Sequence, residues 1–453
     1  MPERLAALLH ALVWGPGMLA LLFGSGVFLS LRCGFPQLRL RGILRDTFGT
    51  LRRGAPTEDG GLPPFQALTT ALAGTVGTGN IAGVTGAILL GGPGAVFWMW
   101  VAAFFGMGTK YAEIALALRF REEGSPPRGG PMYTIAHGLG PKARPLAAAF
   151  ALCGGLACFG IGNLAQSSEI AAAAGTLFGA PPLLTGLLLC VLVAAVLSGG
   201  GKRIGRFTGT AVPVMAGLYL LAVLPVLILH ARELPALLGL IVRSAFQPRA
   251  AGGGICYCAL RQGFSRGIFS NEAGLGSAPM AHAAASCREP CRQAAWGVVE
   301  VFLDTFVICT LTALVVLLSG AARSGDTAAP ASYGEAASAA LAQLLPGPAG
   351  RLVIPFCLLF FALSSIIAWG YYGELCWGWL LRGRPAARAV FRPVFSVCCL
   401  LGALGAGRVM WELSDTLNGL MALPNLISLL LLSGRAAAMS RRYRSRDAQP
   451  VQS

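Results

Sequence analysis

Two short stretches of this chain carry polar and conformationally free residues among apolar ones. Residues 73–84 read Ala-Gly-Thr-Val-Gly-Thr-Gly-Asn-Ile-Ala-Gly-Val, and residues 266–279 read Arg-Gly-Ile-Phe-Ser-Asn-Glu-Ala-Gly-Leu-Gly-Ser-Ala-Pro. A glycine costs up to ~1 kcal/mol in a helix interior, so the cluster Gly74, Gly77, Gly79 and Gly83 needs a reason to sit there. An interrupted helix frees backbone N–H groups, which bind anions, and carbonyls, which bind cations. That chemistry is coordination, with no bond made or broken. Close helix packing is the competing reading, since Gly79-Asn-Ile-Ala-Gly83 is itself a G-x-x-x-G. It is weaker for the second stretch, where Arg266, Ser270, Asn271 and Glu272 would be costly against lipid.

The elements that position these stretches follow from composition. Of 453 residues, 55% are hydrophobic and only 12% charged, against roughly 25% charged in a soluble domain. A soluble enzyme and a disordered chain are both excluded. Apolar runs lie at 12–30, 65–91, 93–118, 146–172, 184–199, 209–230, 253–284, 294–320, 351–379, 394–411 and 415–433. A span needs ~20 residues, so these predict an all-α polytopic membrane protein with about eleven transmembrane helices. Residues 1–434 form one transmembrane domain, followed by a basic cytoplasmic tail, 435–453, expected to be disordered. Run 12–30 is followed by arginines rather than a cleavage site, so it reads as a span.

The two odd stretches fall in the second and seventh runs. With 12–30 as an extra helix, 65–230 and 253–433 become two repeats of five helices, each opening on a discontinuous one. An odd number of helices inverts the second repeat, and paired broken helices at matching places point to a transporter binding site. Of the 35 Lys and Arg residues, 25 fall in alternate connections beginning with 32–53, and 7 on the opposite side. The positive-inside rule then predicts an outside N-terminus and a cytoplasmic C-terminus. The net charge of +16 thus reads as orientation in a bilayer, not as nucleic-acid binding. Segments 234–247 and 333–345 are predicted to be amphipathic and to lie on the outer face. The thirteen cysteines show no metal-ligand spacing and read as small buried hydrophobes.

Several longer motifs carry a resemblance. They are Val13-Trp-Gly-Pro16, Ala71 through Gly83, Gly91-Gly-Pro-Gly-Ala-Val-Phe-Trp-Met-Trp100, Lys110-Tyr-Ala-Glu113 and Gly162-Asn-Leu-Ala-Gln166. Further on come Arg266 through Gly276, Trp369-Gly-Tyr-Tyr-Gly-Glu374 and Asn418-Gly-Leu-Met-Ala-Leu-Pro-Asn425. Over almost its whole length the chain resembles the alanine or glycine:cation symporters. The resemblance implies the five-plus-five inverted repeat of the amino acid–polyamine–organocation type, preceded by one helix. It also implies sodium-coupled, less often proton-coupled, uptake of small amino acids across a cell (inner) membrane, with no cofactor beyond the coupling ion.

A zwitterionic substrate needs donors for its carboxylate and acceptors for its ammonium. Backbone N–H groups at Gly77, Thr78 and Gly79, with the Asn80 side chain, are expected to hold the carboxylate, supported by Thr75. Carbonyls around Phe269, Ser270 and Gly274 are expected to accept from the ammonium. Gln166 reads either as an inter-helix hydrogen bond or, by the resemblance, as a substrate contact. Trp369 reads either as a packed core residue or, by the resemblance, as a wall that closes one side of the pocket and limits substrate size, with Phe269 a candidate for the same role from the seventh span. Sodium prefers oxygens. Ser364 and Ser365 with carbonyls near Ala73 and Val76 are the expected sodium ligands, unless the serines only back-bond to their own helix.

Lys110 and Glu113, three apart on one helix, are expected to pair. Arg266 and Glu272 flank the second break as candidates for gating or helix stabilisation, Asp304 has no obvious partner, and Glu169 departs from the family pattern. No catalytic or Walker motif is present, so an enzyme or an ATP-driven pump is not expected. A channel or receptor-like protein is the alternative of another class. The sequence leaves open glutamine or serine as substrate, the coupling ion and the oligomeric state.

Overall fold

The computed structural model describes residues 13–44, 60–246, 257–320, 333–345, 347–405 and 408–447. Eighteen α-helices run through them. In chain order they are α1 (Pro16–Cys33), α2 (Pro64–Thr75), α3 (Ala82–Gly91), α4 (Gly94–Arg119), α5 (Pro131–Gly138) and α6 (Arg144–Phe159). Next come α7 (Ala165–Phe178), α8 (Pro182–Ser198), α9 (Gly200–Leu229), α10 (Leu234–Phe246), α11 (Tyr257–Asn271) and α12 (Ala278–His282). The last six are α13 (Pro290–Val301), α14 (Thr310–Leu318), α15 (Tyr333–Leu344), α16 (Pro348–Leu380), α17 (Pro385–Ala403) and α18 (Arg408–Asp447). Proline opens α1, α2, α5, α8, α13, α16 and α17, where its missing N–H removes nothing from the helix and its fixed φ suits the first turn. Gly34, at φ 71, stops α1 by donating its N–H back to Leu31 O and Ser30 O.

The chain is a multi-pass membrane protein. Among the described residues, eight helical stretches are long and apolar enough to cross a bilayer, and α2 with α3, bent by 60°, make a ninth. The shorter apolar α8 and the pair α11 and α12 occupy the remaining expected runs. Two of the long stretches contain π-turns, Gly160–Leu164 between α6 and α7 and Phe302–Cys309 between α13 and α14. The amphipathic segments 234–247 and 333–345 coincide with α10 and α15.

The tail is a correction. Residues 435–447 continue α18 as helix instead of being disordered. Ala436, Ala437 and Ser440 are buried along one face, Ser440 Oγ donates to Cys33 O at 2.8 Å, and Arg435 donates to Gly138 O at 3.0 Å. Arginines on the other face made the segment look unpackable. Arg4, Arg45, Arg52, Arg53, Arg249 and Arg323, used in the charge tally, lie outside the described residues.

The helices pack as two groups. In one, α4 is surrounded by α1, α3, α11 and α13. In the other, α16 packs on α6 and α7, and α8 on α17. Helix α9 lies against both α2 and α16, and α18 against both α6 and α1. The site sits where the groups meet.

Candidate binding site at the broken helices

Helix α2 stops at Thr75 because the next residues leave helical geometry, Val76 at ψ 93 and Gly77 at φ −139, ψ −152. A single 3-10 turn, Thr78–Asn80, precedes α3. The break is closed by Asn80. Its Oδ1 accepts from the Gly77 N–H at 2.9 Å, and its Nδ2 donates to Asp304 Oδ1 at 2.6 Å and lies 3.3 Å from Cys309 Sγ. Asp304 Oδ2 accepts from Ser270 Oγ and from Thr305 Oγ1, each at 2.9 Å. One carboxylate therefore joins the two breaks.

This changes two expectations. Asp304 is fully partnered, and its partner Asn80 stands 224 positions away, beyond any local spacing rule. The Asn80 carboxamide and the Gly77 N–H satisfy each other in this structure, so neither is open to a substrate carboxylate. The N–H groups of Thr78 and Gly79 have no hydrogen-bond partner among the described residues. The Ala73 and Val76 carbonyls likewise accept no backbone hydrogen bond there, since the Gly77 N–H that would cap Ala73 in a continuous helix is on Asn80.

Three elements converge on Gly77. A Cβ at this position would lie 2.6 Å from Ser365 Oγ on α16 and 3.8 Å from Gln166 Oε1 on α7. Gln166 Nε2 donates to Ile161 O at 3.2 Å, within the π-turn. Its Oε1 is buried with no partner, a state that costs about 1–3 kcal/mol unless something occupies it. Ser365 Oγ donates to Phe361 O at 3.0 Å, the back-bonded arrangement, and keeps its lone pairs. Ser364 also back-bonds to Phe361 O but contacts Met215 Sδ of α9 at 3.3 Å, so the adjacent hydroxyls serve different surroundings. Thr75 Oγ1 donates to Ala71 O and Leu72 O at 3.3 Å and stays on its own helix.

Two aromatic rings stand on the neighbouring elements, Phe269 on α11 and Trp369 one turn beyond Ser365 on α16. A Cβ on Gly79 would lie 3.4 Å from the Phe269 ring, and one on Gly162 would lie 2.4 Å from Trp369 Cβ. The Phe269 ring also carries the Arg266 guanidinium 5.7 Å from its centroid. Trp369 packs edge-on against Tyr372 at 5.7 Å, and a Cβ on Gly74 would lie 3.0 Å from the Tyr372 hydroxyl.

The break after α11 is built differently. Glu272, Gly274 and Gly276 have φ of 54°, 91° and 88°. Asn271 Oδ1 accepts from the Ala273 N–H at 3.0 Å, and Glu272 accepts from Ser277 Oγ. The Gly274 carbonyl, expected to face the ammonium, is already occupied. It accepts from Asn425 Nδ2 at 2.9 Å, and Leu22, Leu426 and Thr109 surround the Gly274 Cα. Asn425 also donates to Glu113 Oε1 at 2.5 Å. Lys110 in turn pairs with Glu300 at 3.2 Å, and Glu300 takes His282 Nε2 at 3.0 Å. The expected Lys110–Glu113 pair is thus replaced by bonds to other helices, between groups that are all buried. Glu300, His282 and Gln293, which reaches His282 at 2.9 Å, carried no local signal in the sequence.

Glu169, three residues after Gln166, lines a cavity of about 520 Å³ between α7, α15 and α16, with Glu335 and Arg351 also in its wall.

The model of the sodium:alanine symporter family matches residues 2–452. The sodium/alanine symporter AgcS of Methanococcus maripaludis is 46% identical over 434 residues, 94% of this chain and 93% of its own. The probable sodium/glutamine symporter GlnT of Bacillus subtilis is 35% identical over 433 residues, covering 95% of this chain and 88% of its own. Among solved structures, MhsT in complex with L-phenylalanine superposes with a TM-score of 0.54 over 83% of this chain and 97% of its own. At 15% identity that likeness shows a shared fold alone.

Proposed function

The chain belongs to the sodium:alanine symporter family, a family of membrane transporters and not of enzymes, and from that premise we propose that it couples inward sodium movement to uptake of a small neutral amino acid, alanine or glycine. The observation that carries the reading is Gln166 Oε1, buried without a partner and within reach of Gly77 and Ser365. An ammonium group is the donor such an oxygen accepts from. The unpaired N–H groups of Thr78 and Gly79 supply the opposite half, donors for a carboxylate at a helix start. Phe269 leaves little room beside Gly79, and Ser365 and Gln166 leave little beside Gly77, which favours a side chain no larger than a methyl group.

Sodium is proposed to bind beside the substrate, on Ser365 Oγ and the Ala73 and Val76 carbonyls, where a hard cation finds oxygens without a competing positive group. Alternating access follows if the group around α4 moves against the group around α16, as expected for two inverted five-helix repeats. The asymmetry of Lys and Arg between alternate connections supports an outside N-terminus and a cytoplasmic C-terminus, in a cell (inner) membrane.

The test is uptake of labelled alanine into liposomes holding the purified protein, with and without a sodium gradient, with glycine, glutamine and D-alanine as competitors. Sodium-dependent, saturable uptake is expected. Gln166→Ala should raise KM at least about tenfold, the ~1.4 kcal/mol scale of one hydrogen bond to a charged group. Accumulation driven only by a proton gradient replaces the ion, and stronger competition by glutamine than by glycine replaces the substrate. Failure of every amino acid under either gradient overturns the reading.

A further inference from the structure

Between α16 and α17 the chain turns through Leu381-Arg-Gly-Arg384, with Arg382 at φ 54 and Gly383 at φ 71. Four arginines lie along this turn and the first turns of α17. Arg392 holds Glu374 through two bonds of 2.8 and 3.0 Å, and Arg388 reaches the same carboxylate at 3.3 Å. Neither Arg382 nor Arg384 has an acidic or hydrogen-bonding side-chain partner among the described residues. The turn therefore carries two guanidinium groups, Arg382 and Arg384, with no counter-charge among those residues, while Arg388 and Arg392 lie farther along α17 on Glu374.

Below Arg384 opens a groove of about 410 Å³ between the ends of α6, α16 and α17. Phe159, Trp377, Leu381, Phe391 and Val394 form its walls, and Arg384 stands at its mouth. Trp377 Nε1 is spent on Gly155 O at 2.8 Å, so the indole offers the groove only apolar surface. From Arg384 to Val394 the helix climbs ten residues, which at ~1.5 Å each is ~15 Å. One leaflet of a ~30 Å hydrocarbon core has the same depth. Val390 and Val394 are 62% and 47% exposed, as suits side chains that meet lipid.

We propose that this groove is a binding site for an anionic phospholipid, with one acyl chain along the groove and the headgroup phosphate on Arg384 and Arg382. Charge complementarity decides the occupant. An excess of guanidinium groups at headgroup depth selects a net-negative headgroup, since a choline would place a second cation beside them. The apolar length below selects a chain one leaflet long over a free phosphate.

The experiment titrates the full-length protein in detergent with phosphatidylglycerol or phosphatidylcholine of identical chains and counts retained lipids by native mass spectrometry. Wild type should retain one phosphatidylglycerol in preference to phosphatidylcholine. Arg384→Gln should weaken its retention about fivefold, the factor that ~1 kcal/mol per surface arginine gives. Val390→Trp, which fills the groove and leaves the arginines in place, should lose the lipid. Arg206→Gln, an exposed arginine at the start of α9, should change nothing. Equal retention of the two lipids, or equal weakening by Arg206→Gln, overturns the proposal. So does a dimer mass abolished by Val390→Trp, which would make a second copy the occupant. All three substitutions fall at exposed positions, and unchanged melting temperatures would show that folding is not what is being read.

Discussion

The two broken helices look alike in sequence and are held in different ways. After α2 the chain breaks at glycines with ordinary negative φ, and a neighbouring asparagine caps the gap. Its open face meets Ser365, Gln166 and Phe269. After α11 the chain breaks at three residues of positive φ, and its Gly274 carbonyl is clamped by Asn425 against Leu22 and Leu426. The first break presents unpaired groups, whereas the second uses its polar groups on itself and its neighbours. A matching pattern of glycines therefore marks where a helix stops, but not which surface the stop serves. Among the described residues, Ser270 and Phe269, on the last turn of α11, bring the second break to the site.

Asp304 joins the two breaks, so its removal should have the largest effect. Asp304→Ala leaves Asn80 Nδ2, Ser270 Oγ and Thr305 Oγ1 without their acceptor in a buried place. At about 1–3 kcal/mol per orphaned donor, the loss should reach 3 kcal/mol or more. Uptake should vanish in liposomes and the melting temperature should fall. Uptake at wild-type rate would show that the breaks need no common anchor.

That anchor also marks the limit of what the sequence revealed. Apolar runs located the helices because hydropathy is a local property, and every run holds helix. The breaks were legible for the same reason, as glycines and polar residues in apolar surroundings. Partners were not. Asn80 finds Asp304 across 224 positions, Lys110 finds Glu300 across 190, and Asn425 finds Glu113 across 312. Spacing within one helix points from Lys110 to Glu113, because pairs three or four residues apart are the contacts a helix discloses by itself. Gln166, Ser365 and Gly77 are each legible in the sequence as polar or conformationally free residues in apolar runs, yet that they converge comes from the packing of α7 and α16 on the end of α2.

The next prediction sets one glycine against the other. Gly77 has a backbone conformation any residue adopts, but a Cβ there would enter the space between Ser365 and Gln166. Gly77→Ala should cut kcat/KM for alanine about a hundredfold, equivalent to ~2.7 kcal/mol, with little change in melting temperature. Gly274 has φ 91, and a Cβ there would lie 2.9 Å from Leu22 Cδ2. Gly274→Ala should destabilise the fold by about 1–3 kcal/mol and leave the KM of the folded fraction unchanged. Thermal melts and initial rates on the same preparations separate the two. A KM change at Gly274 with an intact melt would return that residue to the binding site.

The smallest effect sharpens the comparison to two adjacent hydroxyls. Ser364 and Ser365 both donate to Phe361 O, so helix bonding alone would make them equivalent. Their surroundings differ, since Ser365 Oγ meets the open end of α2 and Ser364 Oγ meets Met215 Sδ, a soft and weak ligand for sodium. Ser365→Ala should raise the sodium concentration for half-maximal uptake about tenfold, ~1.4 kcal/mol. Ser364→Ala should change it less than about twofold, because Met215 loses only a weak sulfur contact. Sodium titrations of alanine uptake at fixed alanine read both values. Equal shifts for the two serines would place the cation between them, on the α9 side of α16, and would detach it from the break after α2.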